Sequence, residues 1–413
     1  MTERPKQPAP NPRLRLLDFQ PIQQYDETMW LLRDPWQLGE RQLIFPAALA
    51  QLLPLCDGTR TPRQLQTALS EHLGVSVPFD IISEALAQLD AAYLLVNDRF
   101  EARRQEYLAR YRAQSQRPPA LAGLSYPAVP AELSAQLRHY GAGDMATIDP
   151  WHGRGVVSPH IDYQRGGPVY ARVWRRAAPA VLEADLVLIF GTDHNGGPSS
   201  VTLTPLPYAT PYGTLPTDNT LVGRLAEALG EEAAYAEELN HRQEHSVELS
   251  AVWLHHVFHE AGAAPCPMVP ILVGSFHHFI TSGTHPRGEP RLGRFLETLR
   301  RETAGRRVLA VGSVDLAHVG PAFGDIFGMD AERRAALRLA DEALMTRVMA
   351  GDALGFYSRI AAVEDSNRIC GFSPLYLMLS YLGATSGQRV AYQHCPADPA
   401  DTSLVSICGL LLD

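Results

Sequence analysis

A chain of 413 residues is too long for one ordinary hydrophobic core and predicts two domains. Its 46% hydrophobic and 20% charged residues are the balance of a globular protein, and no run approaches the roughly 20 apolar residues that span a bilayer. A formal net charge of −9 argues against nucleic acid as a partner. Lys6 is the only lysine, so there is none for a Schiff base in the folded core, for pyridoxal phosphate or for a P-loop, and no Walker A pattern is present. The five cysteines are scattered and lack CxxC spacing, which excludes a disulfide framework and a zinc ribbon. The opening MTERPKQPAPNP is polar and proline-rich with no apolar segment behind it, so we expect no signal peptide and a cytoplasmic location.

Residues 14–100 read as a small separate α+β unit. LIFPAALAQLLPLCDGT has helical spacing and closes at Asp57-Gly58. Thr61 followed by Pro62 is an N-cap with proline at the first helical position, opening RQLQTALSEHL. A third helix, DIISEALAQLDAAY, runs into LLVNDRF, read as a short strand with an Asn-Asp turn. Three helices and then a hairpin is the order of a winged-helix domain. The pattern LCDGTRTPRQLQTAL…ISEALAQLDAAYLL resembles the PqqD-like family, which implies recognition of a peptide or protein partner. DNA binding, the other habit of winged helices, lacks its basic footprint here: residues 1–115 carry 13 basic and 14 acidic side chains, and the composition by itself reads as a docking or structural domain. Residues 101–119 read as an arginine-rich helical connector that breaks at Pro118-Pro119.

From residue 120 onward, helices and strands alternate, which predicts a mixed sheet with helices on both faces. PAELSAQLRHY is a helix, and VVS is a strand that ends at His160. A helix over GPVYARVWRRAAPAVL leads to the strand LVLIFGT, which ends at His194. VTLTPLPYATPYGTL reads as an edge hairpin. The helices NTLVGRLAEALG and HSVELSAVWLHHVFHEAG, the strand PMVPILVG and the helix RLGRFLETLRRETA follow. RVLAVGSVD is a further buried strand, after which come three helices and the terminal strands RVAYQHC and SLVSICGLLLD.

Fourteen of the fifteen histidines lie beyond the first third of the chain, so the chemistry is placed there. Three apolar strands end in polar groups: His160, then Asp193-His194, then Asp315 with His318. Strands of an open α/β sheet carry ligands at their carboxyl ends, so these residues share one edge if the strands are neighbours. RQEHSVELS adds Glu244, His245 and Glu248 at a helix start, with His245 and Glu248 on one face. Cys370 stands just before an apolar helix, where the positive end of the dipole favours a thiolate, able to serve as metal ligand or nucleophile. His255, His256, His277 and His278 read as surface or packing residues, and Cys266, Cys395 and Cys408 as core. His152 is left without an assignment.

The segment from residue 120 to 413 resembles the Memo family, the B component of AmmeMemoRadiSam systems. AGLSYPAVPAEL, PHIDYQRGG, FGTDHNGG, EHSVELS, PMVPILVG, VGSVDLAH and ICGFSPLYLML match seven of its blocks in order. The family is similar in fold to LigB-type class III extradiol dioxygenases, which implies a three-layer α/β/α domain and a non-haem metal site. Carried across, the resemblance implies metal ligation by His160, His194 and Cys370, an acid–base role for His318, and pocket-lining or supporting roles for Asp315, His245 and Glu244. This chain departs from the family at Asn195, where a second histidine is common, and at Asp162 and Arg165, which make the pocket mouth more charged.

Two histidines and one further ligand leave open positions on a metal. With a carboxylate the set would favour Fe(II) and O₂; with a thiolate, copper and zinc enter beside iron. The expectation is a dioxygenase-like oxidoreductase using Fe(II), or copper, on a small organic or peptide substrate. Its rivals are a zinc hydrolase with Glu244 or His318 as base, a metal- or peptide-binding protein without catalysis, and a thiol enzyme using Cys370 and His245.

Overall fold

The computed structural model describes residues 11–24, 27–142 and 150–413, so most of the proline-rich opening lies outside the described residues. The chain divides into two compact units, residues 1–113 and 114–413. Among the described residues no helix is long and apolar enough to cross a membrane.

The first unit begins with an antiparallel sheet of β1 (Asp18–Gln24), β2 (Glu27–Arg33) and β3 (Leu43–Pro46), in that order. Four helices follow: α1 (Ala47–Ala50), α2 (Pro62–Leu73), α3 (Phe79–Ala91) and α4 (Asp98–Arg112). The sheet thus precedes the helices, where three helices and a final hairpin were expected. The first expected helix is mostly lost, because LIFP pairs with β2 and Pro54 has no N–H to continue a helix past Leu53. The expected hairpin at LLVNDRF is instead a helix start: the Asn97 side chain accepts from the Phe100 N–H at 2.9 Å and caps α4. At Thr61 the expected cap is present as a full capping box with Gln64.

The second unit contains α5 (Pro130–Gly141), β4 (Gly155–Ser158), α6 (Tyr163–Glu183), β5 (Leu186–Thr192), β6 (Val201–Leu203), β7 (Tyr208–Thr210) and β8 (Gly213–Leu215). Then come α7 (Asn219–Leu229), α8 (Glu231–Tyr235), α9 (His245–Ala261), β9 (Met268–Val273), α10 (His277–Thr281), α11 (Pro290–Glu302), β10 (Val308–Ser313) and β11 (His318–Val319). The chain closes with α12 (Ala331–Met349), α13 (Ala353–Ala361), α14 (Phe372–Leu382), β12 (Gly387–Pro396) and β13 (Leu404–Leu412). One mixed sheet runs β11-β13-β4-β10-β5-β9-β6, with β12 paired to β13. Its centre, β4-β10-β5-β9, is parallel, and its flanks are antiparallel. Of the expected edge hairpin, β6 joins the large sheet while β7 and β8 form a separate two-stranded one.

Helices cover both faces because side chains alternate along each strand. Val156, Val187, Ile189, Leu309 and Val311 pack on the side of α5, α6 and α9. Val157, Leu188, Phe190 and Ala310 pack on the side of α7, α11 and α14. The result is the expected three-layer α/β/α arrangement. In the parallel centre, Ser313 is level with both Ser158 and Gly191. That register sends the chain segments carrying His160, His194 and Asp315 off the same edge.

Asp341 on α12 is fully buried and accepts from the Tyr392 hydroxyl of β12 at 2.8 Å. Burial raises its carboxyl to about 6. A carboxyl held above its unfolded value leaves stability intact at low pH and removes it as the pH rises from about 4 to 6. Asp341→Asn should therefore stabilise the fold at pH 7 by on the order of 2 kcal/mol. Melting temperatures across that window should coincide near pH 4 and diverge above it; a constant gap would contradict the assignment.

Candidate metal centre

The parallel strands deliver their histidines to the site, and hydrogen bonds fix each ring. His160 follows β4 and is buried; its Nδ1 lies 3.0 Å from the Ser313 carbonyl, which can only accept, so Nδ1 carries the proton and Nε2 is free. His194 follows β5, with Nδ1 3.0 Å from Glu244 Oε1. His245 opens α9, with Nδ1 3.1 Å from the same oxygen. Glu244 is the N-cap of that helix, and its carboxylate also accepts from the His194 and Ser246 N–H groups at 3.0 Å each. Burial disfavours this carboxylate's charge, but His194 and His245 outweigh it and hold the group well below the usual carboxylate range. His194 is held well above its ordinary value: Glu244 and Cys370 overcome the opposing effect of burial.

Cys370 stands two residues before α14, anchored by its N–H to the Leu316 carbonyl at 3.1 Å. Its Sγ is 3.1 Å from His160 Nε2 and 3.3 Å from His194 Nε2. Burial opposes the thiolate, yet the two imidazoles bring the thiol down to about 5. A metal bound at 2.0–2.3 Å by an imidazole and a thiolate holds nitrogen and sulfur about 3–3.5 Å apart, the separation these atoms have. The three residues that the family resemblance implies as ligands, His160, His194 and Cys370, are thus brought together. His245 joins them more closely than expected: one ring nitrogen each of His160, His194 and His245 lies within 4.8 Å of the others. The rings of His194 and His245 stack with centroids 4.7 Å apart. His160 and His194 are common to the sets His160-His194-Cys370 and His160-His194-His245.

Asp315 is buried beside His160 and accepts from the His160 and Ile161 N–H groups at 2.9 and 3.2 Å. Burial raises its carboxyl above the ordinary range. His318, on β11, lines the same cleft; its Nδ1 is 3.2 Å from the Leu316 carbonyl, leaving Nε2 as the proton-accepting atom. The cleft has a volume of about 660 Å³ and contains His160, His194, His245, Asp315 and His318 in its walls. Asp162 and Arg165 stand at its rim but largely neutralise each other, with Arg165 Nε 2.6 Å from Asp162. Asp162 also caps α6 through the Arg165 N–H. His255 and His256 are packing residues, bonded to Thr210 at 2.7 Å and Tyr212 at 3.1 Å. Cys395 and Cys408 are core, whereas Cys266 is only partly buried.

One supporting residue is missed by the sequence reading. Arg117, placed in a solvated connector, is fully buried; α4 already ends at Arg112. Its guanidinium pairs with Glu248 and donates to the main-chain carbonyls of His241 at 2.7 Å and Glu244 at 3.0 Å. Glu248 in turn accepts from the Ala120 and Leu121 N–H groups at 2.9 and 2.8 Å and from the Tyr126 hydroxyl. Nothing at Arg117 marks it in the sequence, since an arginine beside Pro118-Pro119 has the composition of a linker. Removing one partner of a buried pair strands the other charge, so Arg117→Ala should cost about 3–5 kcal/mol in denaturant unfolding. A loss below 1 kcal/mol would mean that the pair does not anchor this segment.

Comparison with known proteins agrees with this architecture. The family model described as "Memo-like protein" matches residues 117–410. A MEMO1 family protein of Thermus thermophilus is 29% identical over 357 residues, covering 81% of this chain and 94% of that protein. One of Aquifex aeolicus is 27% identical over 323 residues, covering 78% and 79% respectively. One of Methanosarcina barkeri is 27% identical over 293 residues, covering 70% and 96%. The match takes in all of the residues that build the site, and the chain belongs to the Memo family.

Proposed function

We propose that this chain is a metal-dependent oxidoreductase related to the extradiol dioxygenases, using Fe(II), with copper as the alternative redox metal. The observation that carries the reading is the convergence of His160 Nε2 and His194 Nε2 on the Cys370 sulfur. His160, His194 and Cys370 would hold the ion, with His245 beside them as a further imidazole. A mixed nitrogen and thiolate donor set suits iron, copper and zinc and leaves positions open to substrate. Bound there, the ion would supply activation of O₂ or electron transfer to an organic substrate.

The chain's own residues do the rest. Glu244 and the Ser313 carbonyl fix the imidazole tautomers so that Nε2 faces the site. Burial lowers His318 below its ordinary value, so its imidazole is neutral at pH 7 and its Nε2 takes a proton from substrate. The cleft excludes bulk water from Asp315 and His160, which are both buried. Residues 14–100 serve in this reading as a recognition element that holds a peptide or protein partner.

Anaerobic purification followed by elemental analysis tests the site. His160→Ala, His194→Ala and Cys370→Ser should each lose bound metal, and Glu244→Gln should weaken it 10–100-fold by releasing two imidazoles. Equal metal content in all variants would refute the site, and loss in His245→Ala with retention in Cys370→Ser would assign the three-histidine set. Oxygen consumption should appear with iron or copper loaded. Turnover with zinc under anaerobic conditions would replace the oxidoreductase reading with a hydrolase.

A further inference from the structure

A second cleft lies at the opposite edge of the same sheet. Arg154 precedes β4 by one residue and His160 follows its end by two, so the two sites are about 20 Å apart along the strand direction. This cleft has a volume of about 450 Å³, within the range of small-molecule sites. Four arginines line it: Arg154, Arg300, Arg306 and Arg307. In a chain with a net charge of −9, four guanidiniums around one concavity require an explanation.

Two of the four are already paired. Arg306 is 2.8 Å from Asp218 and Arg307 is 2.9 Å from Asp185. The one carboxylate among the described lining residues, Glu183, lies 3.1 Å from His152 Nδ1. The other two arginines have no carboxylate partner among the described residues. Among the described residues Arg300 donates to main-chain carbonyls at the end of α14, those of Ser380 and Tyr381. The Arg154 side chain has no hydrogen bond or ion pair among the described residues. The hydroxyls of Tyr381 and Thr303 are bonded to each other at 2.9 Å, and both residues line the cleft. Burial raises the Tyr381 phenol, while Arg154, Arg300 and Arg306 are near enough to oppose the rise. The apolar part of the wall includes Ala180, Val308 and Leu382.

Two guanidiniums without counter-ions match a ligand of charge about −2, and a phosphate monoester carries that charge near neutral pH. Guanidinium forks bind phosphate oxygens two at a time, so arginine rather than lysine suits the purpose. We propose that this cleft is a binding site for a small phosphorylated molecule, its phosphoryl group held by Arg154 and Arg300 and its apolar part resting on Ala180 and Leu382. The site is independent of the metal centre and shares no residue with it.

Isothermal titration of the full chain with phenyl phosphate, and with citrate as the carboxylate comparison, tests the proposal. Phenyl phosphate should bind saturably with one site per chain, and more weakly as salt is raised. Arg154→Ala should weaken binding at least tenfold and Arg154→Lys less, both with the melting temperature of the wild type because Arg154 is exposed. Three results would overturn the proposal: no saturable binding, citrate binding as tightly as phenyl phosphate, or binding unchanged in Arg154→Ala but lost in His194→Ala. The last would place the anion at the metal edge instead.

Discussion

The Glu244 carboxylate is the constraint on which the rest of the site depends. It is buried, and four donors fill it: the main-chain N–H groups of His194 and Ser246, and the Nδ1 atoms of His194 and His245. An unpaired carboxylate in that position would be prohibitively costly, so the group holds the loop after β5 and the first turn of α9 in one relative position. The positive end of the helix dipole and the two imidazoles compensate its charge. Because both Nδ1 atoms are committed to Glu244, both rings turn Nε2 the other way. The direction in which both Nε2 atoms face is therefore a consequence of one carboxylate's need for donors.

Two further features transmit that constraint. The parallel register keeps Ser158, Gly191 and Ser313 level, so the segments behind them emerge side by side. A one-residue slip would invert every side chain of a strand and break the alternation that feeds both cores. One turn along α9 from Glu244, Glu248 binds Arg117 and the main chain of Ala120 and Leu121. That network ties the start of the second unit to the helix that carries His245. Leu121 and Ser125 line the cleft that holds His160, His194 and His245, so the same network also shapes its wall.

The second unit was legible because buried parallel strands are continuous apolar runs: VVS, LVLIFGT and VLAVGS differ plainly from the helices between them. The first unit was less so. Most of β1 is exposed, so DFQPIQQ shows no apolar period, and its strand character comes from pairing with β2. The helix expected at LIFPAALAQLLPLC is cut down from both sides, by pairing of LIFP with β2 and by Pro54 near its end. At the site, His160, His194 and Cys370 were marked by their positions at strand ends and before a helix. Arg117 was not, because a buried arginine and a linker arginine have the same sequence signature until their partners are known.

The sequence alone determined which residue types stand at the ends of which elements. Hydrophobic periodicity places those ends, since burial of apolar side chains is the dominant local preference. Only the tertiary structure decided how the ends meet. Strand order put β10 between β4 and β5, bringing Asp315 beside His160 and leaving the Ser313 carbonyl to fix its ring. It also drew His245, 85 residues along the chain from His160, into a cluster with it, and set Cys370 against both Nε2 atoms. These contacts join segments far apart in the chain, so no local pattern encodes them; they follow from packing and from the need of buried charges for partners.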